Sequence, residues 1–152
     1  MDYEQLIKQA LSLAEAEPWY LSLMANVSAL LMEAMEDVNW AGFYVVRNGK
    51  LTLGPFQGRV ACIHIAAGRG VCGTALAEDR TVRVEDVHRF PGHIACDAAS
   101  NSEIVVPLHA GGHVAAVLDI DSPSVSRFSA GDQAGLEALV RALEGTIAFA
   151  PL

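Results

Sequence analysis

Apolar residues recur at helical spacing at both ends of this chain and alternate with polar ones between them. Over residues 3–16, Leu6, Ala10, Leu13 and Ala14 share one face of a 3.6-residue repeat until Glu17-Pro18 interrupts it, which predicts a first helix. Leu23, Val27, Leu30, Leu31 and Ala34 form a second stripe within residues 19–36, a helix that must bury this face against a partner layer. The period then changes. Residues 40–47, WAGFYVVR, are aromatic and β-branched, Asn48-Gly49 reads as a two-residue hairpin turn, and residues 50–53 resume as strand. Further strands are expected at 59–65, 81–84, 102–109 and 113–121, the last two joined by Gly111-Gly112, with a short helix starting near Thr74. Residues 131–147 return to the helical period through Leu136, Leu139, Val140 and Leu143, with acids early and Arg141 late, as the helix dipole favours.

Helices at both ends and strands between them predict an α+β fold, an antiparallel sheet flanked by N- and C-terminal helices. A length of 152 residues suits one core, so a single domain over 1–152 is expected, with no separate effector unit. Residues 85–101 form the one long aperiodic connection, rich in Pro, Gly, His, Asp and Asn, and such connections in compact domains usually carry function.

Composition narrows the field. A hydrophobic fraction of 52% and a mean hydropathy of +0.30 exclude disorder, while charged residues break every apolar run short of the ~20 residues a membrane span needs. A net charge of −8 with only two lysines argues against nucleic acid, whose affinity comes from clustered cations. The opening MDYEQLIKQA has no basic-then-apolar signal, so a soluble, cytoplasmic protein is expected.

The candidate chemistry lies in thiols, acids and aromatics. Cys62, Cys72 and Cys96 all fall in one glycine-rich, histidine-containing stretch; in a reducing compartment three thiols cannot all pair internally, and a permanent structural disulfide is not expected. On composition alone each reads as a small buried hydrophobe, while the clustering suggests redox chemistry. Cys96 sits in the long connection, suited to a mobile attacking thiol, whereas Cys62 and Cys72 are expected on more regular structure. Cys62-x-His64 and His93-x-x-Cys96, with His88 nearby, look like ligand pairs, yet the chain has no Cys-x-x-Cys and no metal is expected. GRGVCG lacks the Lys-Ser or Lys-Thr of a phosphate loop, so Gly68, Gly70 and Gly73 read as a tight turn holding Cys72. Asp119 and Asp121 are two apart in VLDID and project from one strand face, either as solvated acids or as a working pair. Trp40 and Tyr44 also share a face, as core packing or as the wall of an apolar slot with a hydroxyl.

Through NWAGFY, LGPFQG, GRGVCG, FPGHIACD, SEIVVPL and VLDIDSP, in order from about Asn39 to Phe128, the chain resembles the free methionine-R-sulfoxide reductases, a family built on a lone GAF domain. The resemblance implies a GAF-like fold and a thiol-dependent enzyme that reduces free L-methionine-R-sulfoxide through a cysteine sulfenic acid and an intramolecular disulfide, recycled by thioredoxin. It makes Cys96 the nucleophile, Cys62 the principal resolving thiol and Cys72 an alternative or auxiliary one. Glu103, Asp119 and Asp121 become an acidic cluster around the substrate, dividing ammonium binding and proton donation, and Trp40 and Tyr44 become pocket walls. No bound cofactor is implied beyond the external thioredoxin, and a homodimer is. The rival within the same fold is a non-catalytic GAF module that senses a small molecule; such modules usually regulate an attached output domain, for which no length is left.

Overall fold

The computed structural model describes residues 1–93 and 99–149. Along the chain lie α1 (Tyr3–Ala16), α2 (Tyr20–Ala34), β1 (Trp40–Arg47), β2 (Lys50–Gln57), β3 (His64–Ile65), α3 (Gly70–Glu78), β4 (Val82–Val84), β5 (Ser102–Ala110), β6 (His113–Ser122) and α4 (Ala130–Glu144), with a 3-10 turn at Val87–Arg89. The strands form one antiparallel sheet in the order β3-β2-β1-β6-β5-β4, so the expected α+β architecture is the observed one.

Local chemistry sets the element ends. Asp2 caps α1 by accepting from the Gln5 N–H, and Ser129 and Asp132 cap α4 reciprocally, which satisfies N–H groups that have no partner within the helix. Asn48 and Gly49 both take positive φ, the geometry of the tight turn that joins β1 to β2.

Strict alternation divides the sheet into two faces. Ala41, Ile120 and Ile104 form one cross-strand row and Phe43, Leu118 and Val106 the next; this face packs under α2 and α4, against which α1 lies in turn, in a core with Leu23, Leu31, Leu136 and Leu139. Phe43, Leu118 and Ile120 are fully buried there, each stabilising the fold by about 1.5–3 kcal/mol through area removed from water. The opposite face carries Trp40, Tyr44, Leu51, Val105 and Val117, covered by α3 and the chain before it in a second, smaller core.

Two expectations need correction. The strand expected over 59–65 shrinks to β3, His64–Ile65, because the Arg59 and Cys62 carbonyls turn to accept hydrogen bonds from Trp40 and Tyr44 instead of joining a ladder. Cys62 therefore lies on irregular backbone. The helix expected near Thr74 starts at Gly70, so Cys72 sits in the first turn of α3 rather than in a loop; Gly68 and Gly70, both at positive φ, make the turn that precedes it. No helix among the described residues is long and apolar enough to cross a membrane.

Candidate active site

The site is built on the smaller face of the sheet, at the ends of its three central strands. Register places Trp40 opposite Asp121 and Asp121 opposite Glu103, so an indole and two carboxyls stand in one row across β1, β6 and β5. Asp119, one row along, pairs with Gly42 and Val105. Directly opposed side chains in a sheet stand about 4.5–5.5 Å apart at Cβ, which is why these acids meet.

Aromatic stacking builds one wall. The Trp40 ring stacks on Phe56 at 5.1 Å and on Tyr44 at 5.9 Å between centroids, while its Nε1–H donates to the Arg59 carbonyl at 3.1 Å and the Tyr44 hydroxyl to the Cys62 carbonyl at 3.1 Å. Two glycines make this possible. A Cβ on Gly42 would strike the Phe56 side chain and its backbone, and one on Gly58, whose φ is +136°, would strike the Trp40 ring.

The other wall is the N-terminal turn of α3, where the Cys72 thiol points at Glu103 Oε2 from 3.9 Å. Cys72 and Asp119 are each 5% exposed, and Glu103 and Asp121 are half-buried. Together with Trp40, Tyr44, Ile65, Arg69, His93 and Ser100, these groups line a cavity of about 50 Å³.

Burial and mutual repulsion set the protonation states. Burial raises Asp119 well above the ordinary carboxylate range, and the Asp121 charge raises it further; Glu103 is raised by burial and then by Asp119, and Asp121 by burial and then by Glu103. Three such groups cannot all ionise freely near neutrality. Burial, then the charges of Asp119 and Glu103, push the Cys72 thiol up, so Cys72 is held as a thiol and not as a thiolate. Burial and Asp119 raise Tyr44 likewise, which keeps its phenol protonated as a donor. Oδ1 of Asp119 and Oδ1 of Asp121 are buried without a hydrogen-bond partner among the described residues.

The structure thus brings six of the expected site residues, Trp40, Tyr44, Cys72, Glu103, Asp119 and Asp121, onto one cavity. The acids at the end of β6 are not the solvated pair that composition alone allows. Cys62 adjoins through its carbonyl bond to Tyr44 and takes part in a disulfide, while Cys72 is a free thiol. Cys96 lies outside the described residues; His93 and Ser100, on either side of residues 94–98, both line the cavity. His64, of the Cys62-x-His64 pair, is exposed on β3, and the His93-x-x-Cys96 pair reaches outside the described residues. Sequence reasoning missed Ser100, which accepts from Asn39 Nδ2 at 3.3 Å and hydrogen-bonds Asp121, and Phe56, which backs Trp40. Only the LGPFQG match marked Phe56, and nothing in the aperiodic 85–101 segment singled out Ser100.

The GAF domain model matches residues 5–147. Over 146 residues the chain is 52% identical to the free methionine-R-sulfoxide reductase of Escherichia coli K12, an alignment covering 96% of this chain and 88% of that one. The chain belongs to the free methionine-R-sulfoxide reductase family. Among solved family members, the reduced form of the Staphylococcus aureus protein superposes with a TM-score of 0.93 at 50% identity, covering 97% of this chain and 96% of that one. The Neisseria meningitidis free methionine-R-sulfoxide reductase, solved in complex with its substrate, superposes with a TM-score of 0.91 at 42% identity, covering 95% of this chain and 87% of that one. The fold described above is therefore shared with these solved family members.

Proposed function

We propose that this chain reduces free L-methionine-R-sulfoxide to L-methionine with its own thiols, the activity its reductase relatives are named for. The observation that carries the reading is the composition of the cavity. A stacked indole and phenol offer an apolar slot for an S-methyl group, and three close carboxyls offer both charge for an ammonium and a retained proton.

In this mechanism the Cys96 thiolate attacks the sulfoxide sulfur while one of Glu103, Asp119 or Asp121 protonates the sulfoxide oxygen. Attack forms a bond between the Cys96 and substrate sulfurs, and the protonated oxygen departs as water when the S–O bond breaks. Water then attacks the Cys96 sulfur, the S–S bond breaks, a proton is released, and methionine leaves reduced by two electrons with Cys96 oxidised to a sulfenic acid. The Cys62 thiol then displaces water from that sulfenic acid to give a Cys62–Cys96 disulfide, which a thioredoxin dithiol reopens by exchange. Support for the ordering comes from Cys62 already taking part in a disulfide and from the state of Cys72. A buried thiol held protonated by its acidic neighbours is a poor nucleophile, so Cys72 is at most an auxiliary resolver.

Val60 is 87% exposed and Ile63 62% exposed, so an apolar surface flanks Cys62 where a reductant would dock. The working unit is a single domain over residues 1–152, acting in the cytoplasm without a bound cofactor and as a homodimer. Turnover with thioredoxin, thioredoxin reductase and NADPH tests the reading. NADPH should be consumed with the free R epimer and not with the S epimer or with N-acetyl-methionine-R-sulfoxide, which lacks the ammonium. Equal rates on the acetylated and free compounds would remove the ammonium-binding role of the acids.

A further inference from the structure

Cys72, Glu103 and Asp119 each present one metal-ligating atom, and the three atoms lie within 4.8 Å of one another. One pair already approaches the ligand spacing of a zinc coordination shell. Zn–S of about 2.3 Å and Zn–O of about 2.0–2.2 Å place tetrahedral sulfur and oxygen ligands roughly 3.6 Å apart, and Cys72 Sγ stands 3.9 Å from Glu103 Oε2. A second feature points the same way. Asp119 is 5% exposed, lines the cavity, and keeps Oδ1 buried without a hydrogen-bond partner among the described residues. A bound cation would satisfy that oxygen.

We infer that Cys72, Glu103 and Asp119 form a binding site for a thiophilic divalent cation, zinc or cadmium, and that its occupation shuts the cavity to substrate. The ligand set is distinct from the Cys-x-His and His-x-x-Cys pairs of the sequence. One soft sulfur with two carboxylates selects zinc or cadmium over magnesium, which demands six oxygens in near-octahedral geometry. Three protein ligands leave a fourth position for water or anion. Binding converts the Cys72 thiol to a metal thiolate and expels its proton, together with any proton retained by Glu103 or Asp119, so affinity rises with pH. The inhibitory half of the inference rests on the proposed function, because it takes away carboxyls which that function assigns to the substrate.

The test uses a Cys62→Ser/Cys96→Ser variant, in which Cys72 is the sole thiol. Titration with cadmium should develop the ultraviolet thiolate-to-cadmium charge-transfer band, saturating at one equivalent and releasing protons into weak buffer, with excess magnesium unable to suppress it. Adding Cys72→Ser should abolish the band, and Glu103→Gln and Asp119→Asn should each weaken binding at least tenfold while circular dichroism stays that of the parent. No band, a band indifferent to both acid substitutions, or more than one cadmium per chain would overturn the site. Free L-methionine-R-sulfoxide should raise the apparent cadmium Kd, and zinc should inhibit wild-type turnover. Acid-dependent cadmium binding that the sulfoxide leaves unchanged would uphold the cation site and overturn the assignment of these acids to the substrate.

Discussion

Replacing Asp119 by Asn should weaken catalysis and strengthen the fold. Glu103 and Asp119 present oxygens within 4.8 Å of one another, and two full charges at that distance repel by about 3 kcal/mol at an effective dielectric of 20. Retained protons relieve part of this repulsion. A gain of about 2 kcal/mol on neutralising Asp119 follows, which in a chain of this size is a rise in Tm of roughly 4–8 °C. The introduced amide also has carboxyl acceptors beside it, so it is not left buried and unpaired.

The effect has a definite pH dependence. All three acids titrate above their ordinary range in the folded chain, so between that range and the raised values the unfolded chain binds fewer protons, and stability falls as pH rises. Asp119→Asn should therefore exceed wild type in Tm at pH 8 and converge on it as the pH approaches about 4, where model carboxyls protonate. Thermal melts followed by circular dichroism at several pH values measure both. A variant less stable than wild type at pH 8, or a Tm gain of equal size at pH 4.5 and pH 8, would refute the reasoning.

Cys96→Ser should abolish single-turnover methionine formation, whereas Cys62→Ser should yield about one methionine per site and lose thioredoxin-driven cycling; rapid-quench product analysis separates the two. The hydrogen bonds of His109 to Asp79 and Glu144 raise its pKa against the opposing effect of burial, so the stability it contributes is full below the ordinary histidine value and is lost as pH rises through the raised one. The Tm deficit of His109→Gln should accordingly be larger at pH 5.5 than at pH 9, and a deficit independent of pH would dismiss the ion-pair account. Gly135→Ala should destabilise by about 1–3 kcal/mol in a denaturant titration, because its Cβ would enter the Tyr3 ring that crosses α4 there and bonds Asp132.

The fold was legible wherever one period held for long enough. Ala41, Phe43, Ile104, Val106, Leu118 and Ile120 alternate strictly, and the helical stripes of α1, α2 and α4 match the face those residues make. Legibility failed where tertiary contacts overrode local pattern. Residues 59–63 read as strand, but the Arg59 and Cys62 carbonyls are spent on the indole and phenol beneath, while the Ile63 carbonyl reaches β2, accepting from the Leu53 N–H. The site was half legible: Asp119 and Asp121 could be placed on one face from their spacing, yet only register brings Glu103 beside them from another strand. That Cys72 opens a helix against those acids, where burial and then their charges push its thiol up, depends on tertiary geometry that no local motif encodes.

Two apolar clusters on opposite sides of one sheet give the molecule two levels of cohesion. The helix-backed side is a dense aliphatic and aromatic block, while the side that bears the acids is closed by a nine-residue helix and irregular chain. Local opening in such an arrangement needs less free energy than global unfolding. Amides of α3 should exchange with deuterium well before those of β1 and β6, and a lesion in the acid-bearing layer should leave the helical layer standing. Oxidative damage around the thiols would then produce a folded, inactive protein rather than an aggregating one, and restoring the thiols would restore function without refolding.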